Sequence, residues 1–115
     1  MKTQVVITFQ IEGCHYWSSA EETEPVVSFL SFPHRHMFHV KVYKPVYHDD
    51  RDIEFICFKR EVISYMTEKY YNKDSNMLEF RGMSCEMIAA EILKQFNASK
   101  VEVWEDNENG AIVEI

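Results

Sequence analysis

Apolar and polar residues alternate along two stretches of the chain, one from Thr3 to His15 and one from His34 to Tyr43. A period of two is typical of strands with one buried face, so both stretches are predicted to be strands. The apolar positions are Val5, Ile7, Phe9 and Ile11 in the first strand and Phe38, Val40 and Val42 in the second. The polar insert from Ser18 to Glu24 between them is expected to be a mobile loop.

Two later segments place apolar residues at steps of three to four, which is the spacing of amphipathic helices. The first helix is predicted to begin at Phe55 and to end near Tyr71. The second is predicted to begin after Gly82, with Ser84 as its N-cap and Asn97 as its exit.

The C-terminal segment VEVWEDNENGAIVEI, residues 101–115, predicts two strands around a loop that contains Asn-Glu-Asn-Gly. The order of elements is therefore ββααββ. This order predicts an α+β fold, with an antiparallel four-stranded sheet and both helices on one of its faces. The 115 residues are expected to form a single domain, 1–115.

Charge and composition narrow the possible partners. The formal net charge is −7 and there is no cluster of lysine or arginine, which argues against a nucleic-acid partner. No apolar run is long enough to span a membrane, and the alternating start of the chain is unlike a signal peptide, so we expect a cytoplasmic protein. Three cysteines without a CxxC pair predict neither a disulfide framework nor a thiolate zinc site.

Three of the five histidines share the parity of the buried faces. The apolar series of the first strand ends at His15, and that of the second strand, followed backwards, reaches His36 and then His34. Because neighbouring antiparallel strands bring these ends together, the three imidazoles are predicted to converge. Three histidine ligands with an open fourth position suit a catalytic or ligand-holding Zn²⁺ site. The alternative is that these are ordinary polar side chains at strand ends; His39 and His48 are expected to be solvated.

Five short motifs, taken together, resemble the 6-pyruvoyl-tetrahydropterin and 6-carboxy-tetrahydropterin synthases, which have the T-fold. The motifs are FQIEGCH (residues 9–15), HRHMFHVKV (34–42), IEFICFK (53–59), MSCEMIAAEIL (83–93) and VEVWEDNENGA (101–111). They cover nearly the whole chain in the order found in that family. The resemblance implies a T-fold domain, an oligomeric barrel (a trimer or a dimer of trimers) and zinc on the three histidines named above.

The same resemblance implies that a pterin ring is held by Glu105, with help from the backbone of Ser84 and Cys85. A carboxylate at the end of an apolar series can accept two parallel N–H bonds from the amidine edge of a pterin or guanine. The alternative for Glu105 is a solvated hairpin carboxylate, and Ser84 is also an ordinary helix cap.

Two departures from the family concern proton transfer. The family has a cysteine before its HxH motif, and no cysteine lies between residues 16 and 33 of this chain. Its relay motif DHxxLN appears here as DSNMLE, with Asp74 retained and Ser75 at the histidine position. The acidic residues Glu21, Glu22 and Glu24 are candidates for a replacement base, although acidic loops are commonly solvated surface.

Two functions of different class remain open from the sequence. One is a zinc-dependent lyase or synthase that acts on a pterin or purine-derived small molecule with an altered general base. The other is a non-catalytic T-fold protein that sequesters or senses such a ligand. In both cases we expect a homo-oligomer, because the edges of a small open sheet are usually paired or covered.

Overall fold

The computed structural model describes all residues 1–115. The strands are β1 (Thr3–His15), β2 (His34–Val46), β3 (Tyr71–Asn72), β4 (Met77–Arg81), β5 (Lys100–Glu105) and β6 (Asn109–Glu114). The helices are α1 (Ala20–Thr23), α2 (Phe55–Tyr70) and α3 (Cys85–Phe96), with a 3-10 segment over Pro25–Ser31. None of the helices combines the length with the apolar character that a membrane span requires.

All six strands form one sheet in the order β3-β4-β1-β2-β5-β6. The long β1–β2 hairpin is antiparallel throughout and closes on the pair His15 and His34. The predicted α+β architecture is confirmed, but the predicted four strands are corrected to six. The additional strands β3 and β4 form a short hairpin between α2 and α3, and β4 pairs parallel to the end of β1. Their two and five residues are too short for periodicity to reveal them.

The core lies between one face of the sheet and the two long helices. It is built from the alternate apolar residues of the strands and from the apolar faces of α2 and α3. Both helices therefore lie on the same side of the sheet. Val42, Val62, Val101 and Ile92 are completely buried at its centre. The alternation seen in the sequence therefore does determine which face of each strand is covered.

The helix boundaries follow from local capping. Glu54 precedes α2, and its carboxylate accepts hydrogen bonds from the backbone N–H groups of Ile56 and Cys57. The Ser84 hydroxyl accepts from the N–H of Met87 at the start of α3. The insert expected to be a mobile loop instead contains α1, which is anchored by the fully buried Ala20.

Candidate functional site

The three histidines predicted to converge do lie together at one end of the β1–β2 hairpin. His15 and His34 are cross-strand partners, and His36 lies two residues further along β2. One nitrogen from each ring lies within 4.8 Å of the others. His15 is the one buried polar residue of the chain, with 8% of its surface exposed. The bulky Phe38 ring lies against both His15 and His36, at centroid distances of 5.3 and 5.8 Å.

Each imidazole of this cluster has its Nδ1 held by an acceptor. The Nδ1 of His15 is 2.8 Å from the carbonyl oxygen of Met83, and that of His34 is 2.8 Å from the carbonyl of Phe32. A carbonyl cannot donate, so both Nδ1 atoms carry the proton and both Nε2 atoms present a lone pair. This is how proteins orient metal-binding histidines.

The third ring is held in the same way by a carboxylate. The Nδ1 of His36 donates to Asp106 Oδ2 over 2.7 Å, and Oδ1 of the same carboxylate accepts from the backbone N–H of Met37 at 2.9 Å. The Asp106 carboxyl has a pKa below its ordinary value, chiefly because of the His36 bond and then the Met37 bond. It is therefore an anion near neutral pH and fixes His36 with Nε2 free.

The free Nε2 atoms face a second carboxylate. The Nε2 atoms of His15 and His36 are buried, and while they carry no proton neither has a hydrogen-bond partner. Glu105 Oε2 lies 2.8 Å from His15 Nε2, and Oε1 lies 3.6 Å from His36 Nε2. Two lone-pair groups this close require a cation between them, either a proton or a metal ion. The residues therefore fit a metal ion such as zinc, for which neutral imidazole is a preferred ligand.

The same geometry sets the ionisation of His15 and Glu105. Burial lowers the pKa of His15, but the hydrogen bond to Glu105, the Met83 carbonyl and the Glu105 charge together raise it above its ordinary value. The His15 bond, acting against burial and helped by the charge of His36, lowers the pKa of the Glu105 carboxyl. Without a metal, a proton on His15 takes the place of the cation.

A cavity of about 530 Å³ opens beside the cluster. Its lining includes His15, His34 and all three residues expected to bind the small molecule: Glu105, Ser84 and Cys85. The rings of Tyr16 and Trp17 and the side chain of Leu30 supply apolar walls. The cavity thus combines a planar apolar surface, a carboxylate and the N-terminus of α3 next to the histidines.

Apart from the histidine cluster and the carboxylates of Glu105 and Glu86, no group that lines this cavity is a candidate proton acceptor. Burial, and then the charge of Glu105, raise the pKa of the Cys85 thiol to about 12, so it stays protonated. Asp74 and Ser75 lie in the β3–β4 turn, where both backbone N–H groups bond to Asn72, and neither residue lines the cavity. The exposed acids Glu21, Glu22 and Glu24 do not line it either.

Sequence reasoning missed Asp106, Met83 and Phe32, which orient the three rings. Asp106 begins the β5–β6 turn in the left-handed backbone region, with φ of 52°. Aspartate and asparagine tolerate this region better than most residues, so the run Glu-Asp-Asn-Glu-Asn carried a signal for the turn. The other two act through backbone carbonyls, which no residue type reveals.

The two histidines expected to be solvated lie away from the cluster. His39 is half-buried on the helix-free face of the sheet, and His48 is exposed and lies 3.3 Å from Asp52. A shallow groove of about 640 Å³ follows the helix-free face past His39, Lys41 and Trp104. It holds none of the groups of the histidine cluster.

No protein-family model and no curated protein matches the sequence. Among solved structures, 6-pyruvoyl tetrahydropterin synthase from Caenorhabditis elegans superposes with a TM-score of 0.72 at 13% identity, covering 100% of this chain and 96% of that one. The chain has the fold of the tetrahydropterin synthases. An uncharacterized protein from Wolinella succinogenes has the same T-fold, with a TM-score of 0.66 at 15% identity over 99% of this chain and 98% of its own. The resemblance read from the motifs is thus confirmed at the level of the fold.

Proposed function

We propose that this T-fold protein binds zinc through His15, His34 and His36 and holds a pterin or related purine-derived small molecule in the adjoining cavity. The observation that carries the proposal is the convergence of three rings whose Nδ1 atoms are all occupied by acceptors. Metal-binding histidines in proteins are typically oriented by a hydrogen-bond acceptor on the nitrogen that does not bind the metal. Solvated histidines at a strand end do not need such partners.

Zinc is the metal that this set of ligands favours. Imidazole nitrogens suit zinc well, and three protein ligands leave a position for a small molecule. When bound, zinc would polarise a carbonyl or hydroxyl oxygen of that molecule. The chain itself contributes the fixed orientation of the rings and the apolar packing of Phe38 beneath them.

The ring-binding role is assigned to Glu105, Ser84 and Cys85. The Glu105 carboxylate offers two oxygens for a pair of ring N–H groups. Backbone N–H groups at the start of α3, around Ser84 and Cys85, are available to ring or side-chain acceptors because the first turn of a helix leaves them unpaired. A planar heterocycle would fit between these polar groups and the aromatic walls of the cavity, Tyr16 and Trp17.

Binding without turnover is the form of this function that the site favours. A synthase or lyase needs a group that accepts a proton near neutral pH, and such a group typically contributes about 10² to 10⁴ in rate. In the proposed site the three histidines are occupied by the metal, the Cys85 thiol is protonated, and Asp74 lies outside the cavity. Sequestering or sensing a ligand needs no such base. Lyase or synthase activity is the second candidate, supported by the shared fold.

The sheet edges support a homo-oligomer. Strands β3 and β6 stand at the two ends of the sheet with unpaired edges. Exposed edges invite pairing, and T-fold sheets resemble segments of a barrel, so a trimer or a dimer of trimers is the assembly we propose.

The test combines metal analysis with ligand binding. We expect the untagged protein to contain zinc in a fixed ratio, and His34→Ala to lose it, while the matched control His48→Ala keeps it. Dihydroneopterin triphosphate should bind the zinc-loaded protein in calorimetry and remain unchanged by mass spectrometry. Conversion that persists in a Glu24→Gln, Asp74→Asn double variant would favour an enzyme with a different base. A protein that takes up no zinc would refute the proposal.

A further inference from the structure

The position of Glu105 relative to the histidines has a consequence for how the metal site is closed. Glu105 pairs with Phe38 in the β2–β5 ladder, and Phe38 lies two residues after His36 on β2. Side chains of matching parity on paired strands project to the same side, so the sheet itself directs the carboxylate to the rings. Its proximity to His15 and His36 does not depend on a flexible loop.

Each of the two Glu105 oxygens lies near one imidazole nitrogen at a distance close to that between ligands of one ion. With metal–ligand bonds of about 2.0 to 2.1 Å, the ligand atoms of a tetrahedral zinc site lie about 3.3 Å apart. The separations of 2.8 Å between His15 Nε2 and Glu105 Oε2, and 3.6 Å between His36 Nε2 and Glu105 Oε1, lie on either side of that value. The side chain of Glu105 is also 26% exposed and thus largely withdrawn from water.

We propose that a Glu105 oxygen is the fourth metal ligand when no small molecule is bound, so that the resting site is closed. This inference rests on the proposed metal centre. Binding of a small molecule then requires an exchange: the bond between metal and Glu105 breaks, and a bond between metal and an oxygen of the small molecule forms. The released carboxylate becomes free to accept the N–H groups of the ring. Glu105 would therefore control access to the metal position and also bind the ring of the small molecule.

Cobalt(II) and azide provide the experiment, since four-coordinate cobalt(II) absorbs strongly in the visible range and azide occupies open metal positions. The full-length protein is loaded with cobalt(II) and titrated with azide, and cobalt(II) affinity is measured separately. Glu105→Gln removes the charge of the ligand, and Glu105→Asp keeps the charge but shortens the reach by one methylene. Glu86→Gln, on the exposed rim of the same cavity, is the control.

We expect both Glu105 variants to lose at least about tenfold in cobalt(II) affinity. This is the lower end of the loss seen when a residue that hydrogen-bonds to a metal ligand is replaced. We also expect their azide affinity to rise by at least about tenfold, with Glu86→Gln unchanged in both respects. Circular dichroism checks that each variant is folded. Unchanged metal and azide affinities in both variants would overturn the closed site and leave the three-histidine centre standing. A wild-type protein that binds neither cobalt(II) nor zinc would overturn both proposals.

Discussion

Asp106→Asn tests whether the outer partner of His36 prepares that ring for a metal. An asparagine retains an oxygen for the Met37 N–H and tolerates the left-handed backbone at this position. Its amide, however, presents a donor to His36 Nδ1, which favours the tautomer with the proton on Nε2. That tautomer has no lone pair on Nε2, the nitrogen that faces the proposed metal, so we expect zinc affinity to fall by about 10 to 100-fold.

The expected change in stability follows from mass action. With zinc at a hundred times the wild-type Kd, binding stabilises the folded protein by about 2.7 kcal/mol. A 10 to 100-fold weaker site leaves only about 1.4 to 0.4 kcal/mol, so the variant should lose roughly 1.3 to 2.3 kcal/mol in zinc. Without zinc, the variant should lose less stability than it does with zinc, because only the charged hydrogen bond from His36 is then removed.

Urea denaturation with and without zinc measures this difference. Asp52→Asn is the matched control, because Asp52 also joins a backbone N–H, that of Tyr47, to a histidine, His48, but far from the cluster. The control should show no zinc-dependent change. Equal loss of stability with and without zinc in Asp106→Asn would refute the reasoning, since it would mean that Asp106 supports only the turn.

Two further substitutions test packing and ionisation elsewhere in the fold. A Cβ at Gly13 would lie 2.5 Å from the buried Phe80 ring, so Gly13→Ala should lower the free energy of unfolding by about 1 to 3 kcal/mol. The control is Gly82→Ala, whose Cβ meets nothing nearer than 3.9 Å and which should leave the free energy of unfolding nearly unchanged. Equal effects of the two substitutions would show that crowding at Gly13 is not the cause. Burial and then the hydrogen bond to Glu91 raise the pKa of Tyr70 to about 12 from an ordinary 10. The contribution of Tyr70 to the free energy of unfolding is therefore complete below pH 10 and is lost as the pH rises towards 12. Tyr70→Phe should unfold more easily than the wild type at neutral pH, and its stability should fall less between pH 10 and 12. Urea titrations at each pH measure both differences. An equally steep decline in the variant would exclude Tyr70 as the source.

The sequence predicted the histidine cluster because strand parity carries information over long distances. Once β1 and β2 are paired, His15, His34 and His36 all occupy positions whose side chains project to the same side of the sheet. The same reasoning extends to Glu105 through β5. It could not predict that the Glu105 carboxylate turns towards the imidazoles, because that depends on side-chain torsions within a shared cavity.

The missed hairpin of β3 and β4 shows the opposite case. Leu78 and Phe80 are buried, but two apolar positions within five residues do not define a period. The pairing of β4 with β1 is parallel and joins positions more than 60 residues apart, such as Gly13 and Leu78. Such a pairing is decided by how the whole core packs and leaves no local trace.

The β1–β2 ladder ends on its two histidines, and this gives a bound ion a mechanical role. Residues 16–33 leave the sheet directly after His15 and return to it at His34. This excursion exposes the apolar side chains of Val26, Phe29 and Phe32. An ion shared by the rings of His15 and His34 would cross-link the two ends of residues 16–33, and this cross-link could be removed with the ion. If the proposed metal centre is occupied, removing the ion would take away this cross-link and leave the exposed apolar side chains of residues 16–33 held only by their own packing.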